Sequence, residues 1–152
     1  MAKTYNSDIE EATYVISNFA YSDFVIDVSG GQKTNNRNVQ IYQSNNTNAQ
    51  KWYLKKDSAG YITFMNVNSD KALDVSGGVA ANNRNVQQYQ SNGSYAQKWI
   101  AKKNSDDSLT FVSALDSNFV LDISSGVVQN NKNIQLYQSN GTNAQKFKLT
   151  RV

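Results

Sequence analysis

The sequence predicts an all-β fold of twelve short strands, arranged as three equivalent units of four, and three observations carry that expectation. The first is a repeat. Asp27, Asp74 and Asp122 recur at intervals of 47 (27 to 74) and 48 (74 to 122) residues, and each opens a segment that runs through Asn-Arg-Asn or Asn-Lys-Asn to a closing Gln-Lys-aromatic. The second is apolar alternation in twos within each unit, with turn-forming residues between the runs. The third is the lack of any useful stretch with the three-and-four spacing of a helix, which excludes a helical array of the same period. Four strands per unit would suit a propeller blade, but three blades fall below the usual range of about 4 to 8. A closed threefold all-β body is left.

Taken in order, residues 1–11 form a leader that ends in Asp8, Glu10 and Glu11 and is expected to fray. The run Thr13-Tyr14-Val15-Ile16-Ser17 is the first β-rich stretch. Phe24-Val25-Ile26-Asp27-Val28 follows, with Phe24, Ile26 and Val28 on the core face and Val25 and Asp27 on the other. Gly30-Gly31 and an Asn-rich loop reverse the chain without proline, using residues that tolerate positive φ. Val39 to Gln43 alternates again, turning Val39 and Ile41 inward and Gln40 and Tyr42 outward. A loop over 44–48 leads to Lys51-Trp52-Tyr53-Leu54, and the cycle restarts at Tyr61 and at Leu109. The expected organisation is one domain over 12–152, with repeats of about 12–57, 58–104 and 105–152.

Composition narrows the chemistry. A chain of 152 residues without Cys is long enough to bury a core without covalent staples. No apolar run approaches the length of a membrane span, so no membrane insertion is expected. The first residues lack the apolar core of a secretory signal; the expectation is an extracellular module without its leader, a cytosolic protein being the other reading. The net charge of +3 is spread with the repeat rather than clustered, so no nucleic-acid groove is expected. With no His and no Cys, Ser-His-Asp and Cys-His nucleophiles and His-based zinc sites are excluded, and no cofactor or metal is called for. Glycoside hydrolysis needs two carboxylates about 5 to 9.5 Å apart. Threefold arrangement holds Asp27, Asp74 and Asp122 apart, and Asp106-Asp107 read as solvated turn residues, so no enzyme is expected.

Binding fits better. Each repeat presents a carboxylate (Asp27), an amide (Gln40), an aromatic (Tyr42) and a further amide near Asn48. A carboxylate accepts two hydrogen bonds from vicinal hydroxyls, and amides both donate and accept. A tyrosine ring offers an apolar face to the C–H side of a pyranose. The competing reading makes Asp27 a turn residue and Tyr42 surface cover.

Gln50-Lys51-Trp52, Gln97-Lys98-Trp99 and Gln145-Lys146-Phe147, in register with Asp-Val-Ser-Gly and Val-Gln-x-Tyr elements upstream, resemble the ricin-type β-trefoil lectins, also found as family 13 carbohydrate-binding modules. The resemblance covers residues 12–152. It implies a β-trefoil, a six-stranded barrel capped by three hairpins, with no catalytic activity and up to three shallow sites for galactose or N-acetylgalactosamine, or in some relatives xylan. A protein-binding scaffold on the same fold is the alternative of another class. Glycans on cell surfaces or polysaccharides are the expected partners, met by a monomer.

Carried over by position, the family's aspartate falls on Asp27, Asp74 and Asp122, its stacking ring on Tyr42, Tyr89 and Tyr137, and its amide on Gln40, Gln87 and Gln135. The glycine under the sugar falls on Gly30 and Gly77 but on Ser125 in the third repeat. The Asn that precedes the Gln of Gln-x-Trp in many relatives is Ala49, Ala96 or Ala144 here, with Asn48 and Asn143 one residue away and Tyr95 in the second repeat expected as a second aromatic wall. Gln50, Gln97 and Gln145 complete the expected set, bracing the loop, while Trp52, Trp99 and Phe147 fill the core. The positions at which many relatives carry a disulfide hold Val25 and Ser44, Ala72 and Ser91, and Val120 and Ser139, so packing must secure these loops. Gln88, which stands where Ile41 and Leu136 point inward, is expected with Tyr95 to set the second site apart.

Overall fold

The computed structural model describes residues 6–152. Twelve strands appear where alternation places them: β1 (Thr13–Asn18), β2 (Phe24–Val28), β3 (Arg37–Gln43), β4 (Trp52–Lys56), β5 (Ile62–Asn66), β6 (Ala72–Val75), β7 (Arg84–Tyr89), β8 (Trp99–Lys103), β9 (Leu109–Ser113), β10 (Phe119–Ile123), β11 (Lys132–Gln138) and β12 (Phe147–Arg151). Six of them close a ring of antiparallel pairs in the order β1, β4, β5, β8, β9, β12 and back to β1. Closure gives every barrel strand a partner on both edges, which an open sheet could not do for its outer strands. The other six make three hairpins, β2–β3, β6–β7 and β10–β11. These hairpins join about the threefold axis through β3–β7, β7–β11 and β11–β3 pairs. This is the β-trefoil.

The main core holds most of the inward residues the alternation selects, with one exchange: Phe24, expected inward, is only half-buried, and Val25, expected on the outer face, is 1% exposed because the loops cover that face too. Trp52, Trp99 and Phe147 are fully buried with Phe64 and Phe111. Phe111 meets Phe64 edge-on at 5.3 Å and Phe147 at 6.0 Å between ring centroids. The two indoles also donate, Trp52 Nε1 to the carbonyl of Ile26 at 3.1 Å and Trp99 Nε1 to that of Leu73 at 3.3 Å. Each thereby pins its own hairpin to the barrel. Phe147 supplies volume at the third position but has no N–H to give.

The leader departs from expectation. Residues 1–5 lie outside the described residues, but 6–11 do not fray. Asn6 is wholly buried: its amide donates to the carbonyls of Gly60 at 2.8 Å and Trp99 at 3.3 Å, and its oxygen accepts from the N–H of Ala101 at 2.8 Å. Ile9 joins the core. A polar composition with an acidic end concealed one side chain that satisfies three backbone groups of other repeats.

Candidate functional site

Each hairpin, with the loops beside it, encloses one hollow, and the three measure about 600, 420 and 540 Å3. The first is lined by Asp27, Gly30, Gln40, Tyr42 and Asn48 together. The second gathers Asp74, Gly77, Gln87 and Tyr89, and the third Asp122, Ser125, Gln135, Tyr137 and Asn143. The fold therefore unites the residues that the repeat singles out. β2 and β3 pair Asp27 directly with Gln40, one residue before the Val28–Val39 pair that enters the core. The same register holds for Asp74 with Gln87 and Asp122 with Gln135.

The aspartates do not stand out into water as alternation suggested. They face away from the barrel core, but the loops cover them, leaving each 5% exposed. Both oxygens already accept. Gln40 Nε2 donates to Asp27 Oδ1 at 3.1 Å, and Gln50 Nε2 donates to Asp27 Oδ2 at 2.8 Å. The bonds recur from Gln87 and Gln97 to Asp74, and from Gln135 and Gln145 to Asp122. Desolvation pushes the pKa of all three carboxyls above the ordinary 3.8, against the opposing pull of these amides. Gln50, Gln97 and Gln145 stand behind the hollows, each 1% exposed. Besides the aspartate, Gln50 ties the carbonyl of Gln43 and the N–H of Asn45, which fixes the loop carrying Asn48.

Each hollow also borrows from another repeat. Asn131 Nδ2 donates to Gln40 Oε1 at 3.1 Å, Asn36 to Gln87 at 3.2 Å and Asn83 to Gln135 at 3.3 Å. These three asparagines have φ of +67° (Asn36), +66° (Asn83) and +70° (Asn131), and each lines its neighbour's hollow. Sequence reasoning read the Asn-rich loop only as a turn. The signal was its Asn-Asn pair, unchanged in every copy.

The departures between repeats sort differently from expectation. Tyr95 is no wall of the second hollow; Ser94 and Ala96 line it, while Tyr95 turns outward against Tyr61 and Lys98. Gln88 is fully buried, and two of its three partners belong to the first repeat. Its Nε2 donates to the carbonyls of Gln32 at 3.0 Å and Thr34 at 2.9 Å, and its Oε1 accepts from Ser69 at 2.7 Å. Gln88 thus secures the glycine loop of the first hollow, where Asn68 also donates to the carbonyl of Gly31 at 2.9 Å. Ser125 pairs with a second change. Arg37 Nε donates to the carbonyl of Ser29 and Arg84 Nε to that of Ser76, at 2.8 and 2.6 Å. A Cβ on Gly30 would lie 2.8 Å from Arg37 Nη2, and one on Gly77 would run into Arg84 Nη2. In the third repeat Lys132 replaces the arginine, and there a Cβ is accommodated, at φ +63°.

Asp106 and Asp107, read as solvated turn residues, each hold a lysine. Asp106 bridges to Lys146 at 3.0 Å and Asp107 to Lys103 at 3.5 Å.

A threefold β-trefoil with a carboxylate, an amide and a half-buried tyrosine in each of three open hollows defines a lectin-like protein. The chain belongs to the ricin-type beta-trefoil lectin domain-like family, which matches residues 4–89 and 48–137. No curated protein sequence matches it. Among solved structures it is similar to a designed threefold-symmetric protein, ThreeFoil, with 24% identity and a TM-score of 0.87 over 92% of this chain and 99% of that one. The ricin B-like lectin of Macrolepiota procera, solved in complex with lactose, is 18% identical with a TM-score of 0.80, over 95% of this chain and 98% of that one. An exo-beta-1,3-galactanase from Clostridium thermocellum is 27% identical with a TM-score of 0.87; 94% of this chain matches 31% of that enzyme.

Proposed function

We propose that the protein is a carbohydrate-binding lectin without catalytic activity, which takes galactose- or N-acetylgalactosamine-containing glycans in up to three sites and acts outside the cell. The observation that carries the reading is the threefold recurrence of one donor set around an open hollow: a carboxylate with lone pairs to spare, an amide oriented by a neighbouring repeat, and a tyrosine ring on the rim. The buried carboxylate and fixed amide suit two vicinal hydroxyls, and the ring suits the C–H face that an axial hydroxyl leaves apolar on one side. Lactose in the Macrolepiota lectin supports the choice of a galactoside.

Each hollow is open and offers few contacts, so the affinity of one site for a free sugar is on the order of millimolar to tens of micromolar. Three such hollows on separate lobes gain avidity on a glycan-coated surface.

A glycan array of the wild type beside the Tyr42→Ala, Tyr89→Ala, Tyr137→Ala triple variant tests the reading, because these rings are not part of the buried core. Binding to galactosides that free galactose displaces, and that the variant loses, is the expected result. Full retention of binding in the variant assigns the partner to another surface, and signal on xylan alone assigns another sugar class.

A further inference from the structure

On the second lobe an aromatic pair, one half-buried ring and one exposed, stands beside the hollow. Tyr95 occupies the place where the first and third repeats carry Asn48 and Asn143, and both amides line their hollows. The residues on either side of it, Ser94 and Ala96, line the second hollow, while the Tyr95 ring is turned outward and 56% exposed. That ring is not loose. It meets Tyr61 edge-on, with 5.9 Å between centroids and 62° between planes. Tyr61 is rooted in the side cluster of Ile100, Val112 and Val120. Lys98 Nζ lies 5.3 Å from the Tyr95 centroid and 5.7 Å from that of Tyr61, and Asp57 holds this ammonium at 3.1 Å.

These contacts restrain the ring before any ligand arrives, which lowers the ordering cost of stacking on it. Because Asp57 already neutralises Lys98, the platform offers an apolar surface without a free charge. A neutral pyranose is the complement of such a surface, whereas an anionic sugar would have to displace Asp57.

We propose that Tyr95, buttressed by Tyr61 and Lys98, is an outer subsite of the second lobe that stacks on the next neutral pyranose of a glycan whose terminal sugar lies in the Asp74 hollow. The inference rests on the proposed sugar-binding function. The second site, which has given up an amide, then reads two rings, while the first and third read the terminal sugar alone.

Nitrogen-15 labelled protein, titrated separately with galactose and with lactose and followed at the amides around each hollow, resolves the three sites in one sample. At the second site lactose is expected to bind about two- to tenfold more tightly than galactose, the gain of one stacked ring. Tyr95→Asn, which installs the residue of the sister repeats, brings the lactose Kd there to that of galactose, and Tyr95→Phe keeps the difference. Equal affinity for the two sugars at the wild-type second site overturns the inference. So does a preference that survives Tyr95→Asn, or a parallel loss of both sugars, which would place the ring in the primary hollow. Absence of binding at all three hollows overturns the lectin reading and this inference together, whereas binding at the first and third without a preference at the second overturns the subsite alone.

Discussion

Asp27 is an aspartate rather than an asparagine for a reason internal to the protein. Asn131 donates to Gln40, whose other end donates to one carboxylate oxygen; the N–H of Asn45 donates to Gln50, which donates to the other oxygen. Two chains of donors converge, and only a group with two acceptors can end both. In Asp27→Asn one amide would meet an NH2, and turning Gln40 round would only set its own NH2 against that of Asn131. The expected cost is about 1–3 kcal/mol, the penalty of a buried donor left without an acceptor, read from urea unfolding of the single variant against wild type. A stability unchanged by Asp27→Asn would mean that the amides can reorganise freely. The coupling of Ser125 with Lys132 is testable at the same scale. Ser125→Gly removes a side chain from left-handed backbone and is expected to stabilise by about 1 kcal/mol. Lys132→Arg alone is expected to gain nothing, because the Ser125 side chain occupies the space that Arg37 and Arg84 use over their glycines. With both changes the new arginine can donate to the carbonyl of Ser124, so a double-mutant cycle should show favourable coupling of about 0.5–1.5 kcal/mol.

Among the elements, the glycine loop between β2 and β3 is held most firmly, and it is held from outside. Gln88 on β7 binds the carbonyls of Gln32 and Thr34, and Asn68, in the turn after β5, binds that of Gly31. Gln88 sits at a position where Ile41 and Leu136 are core residues, so its polar group is retained at a site that apolar packing would fill. Gln88→Leu restores the apolar pattern but frees those carbonyls and leaves Ser69 Oγ only its long 3.5 Å bond to Asn66 Oδ1. The protein should stay folded while the 32–34 loop gains mobility, seen as faster amide hydrogen exchange there, and sugar affinity at the first hollow should drop several-fold through lost preorganisation. Weakening at the second hollow instead, the repeat to which Gln88 belongs by sequence, would contradict this assignment.

For the whole molecule, the buried aspartates set stability and binding against each other in one pH window. Their pKa values are raised by desolvation, so the folded state keeps a proton that the unfolded chain has released. Their contribution to stability is fully present below the ordinary 3.8 and is lost as pH rises through the folded pKa values. Asp57 and Asp106 act with the opposite sign. Desolvation of Asp57 is outweighed by hydrogen bonds from Tyr61, Lys98 and Ala59 and by the charge of Lys98, which together lower its pKa. Hydrogen bonds from the Ser108 hydroxyl and N–H and from Lys146 draw Asp106 down to about 2. Their stabilisation is present above 3.8 and lost as pH falls through the lowered values. From these groups the melting temperature is therefore expected to be highest near the ordinary carboxylate value of 3.8 and to decline on either side, as a calorimetric pH series would show. In the proposed sites the charged carboxylate is the sugar's acceptor, so glycan binding is expected to rise with pH through the window in which stability falls. A binding curve with its midpoint at or below 3.8 would contradict the raised pKa values.

The sequence by itself determined the strands, the threefold plan and the core. Alternation in twos is a local property of each run, and it selects Ile26, Val28, Val39, Ile41 and Trp52 as inward wherever the run lies. It also brought Asp27, Gln40 and Tyr42 to one face, because facing residues of a hairpin share a side. Repetition then carried each assignment to the other two units. What only the tertiary structure decided is what covers that face. The burial of the aspartates, the amides of Asn36, Asn83 and Asn131 in neighbouring hollows, the grip of Gln88 on the first glycine loop and the outward turn of Tyr95 all depend on which repeat lies beside which. Those contacts join residues 51 to 91 positions apart in the case of the three asparagines. They come into being when the hairpins meet about the axis, and the pattern of a single repeat holds no record of them.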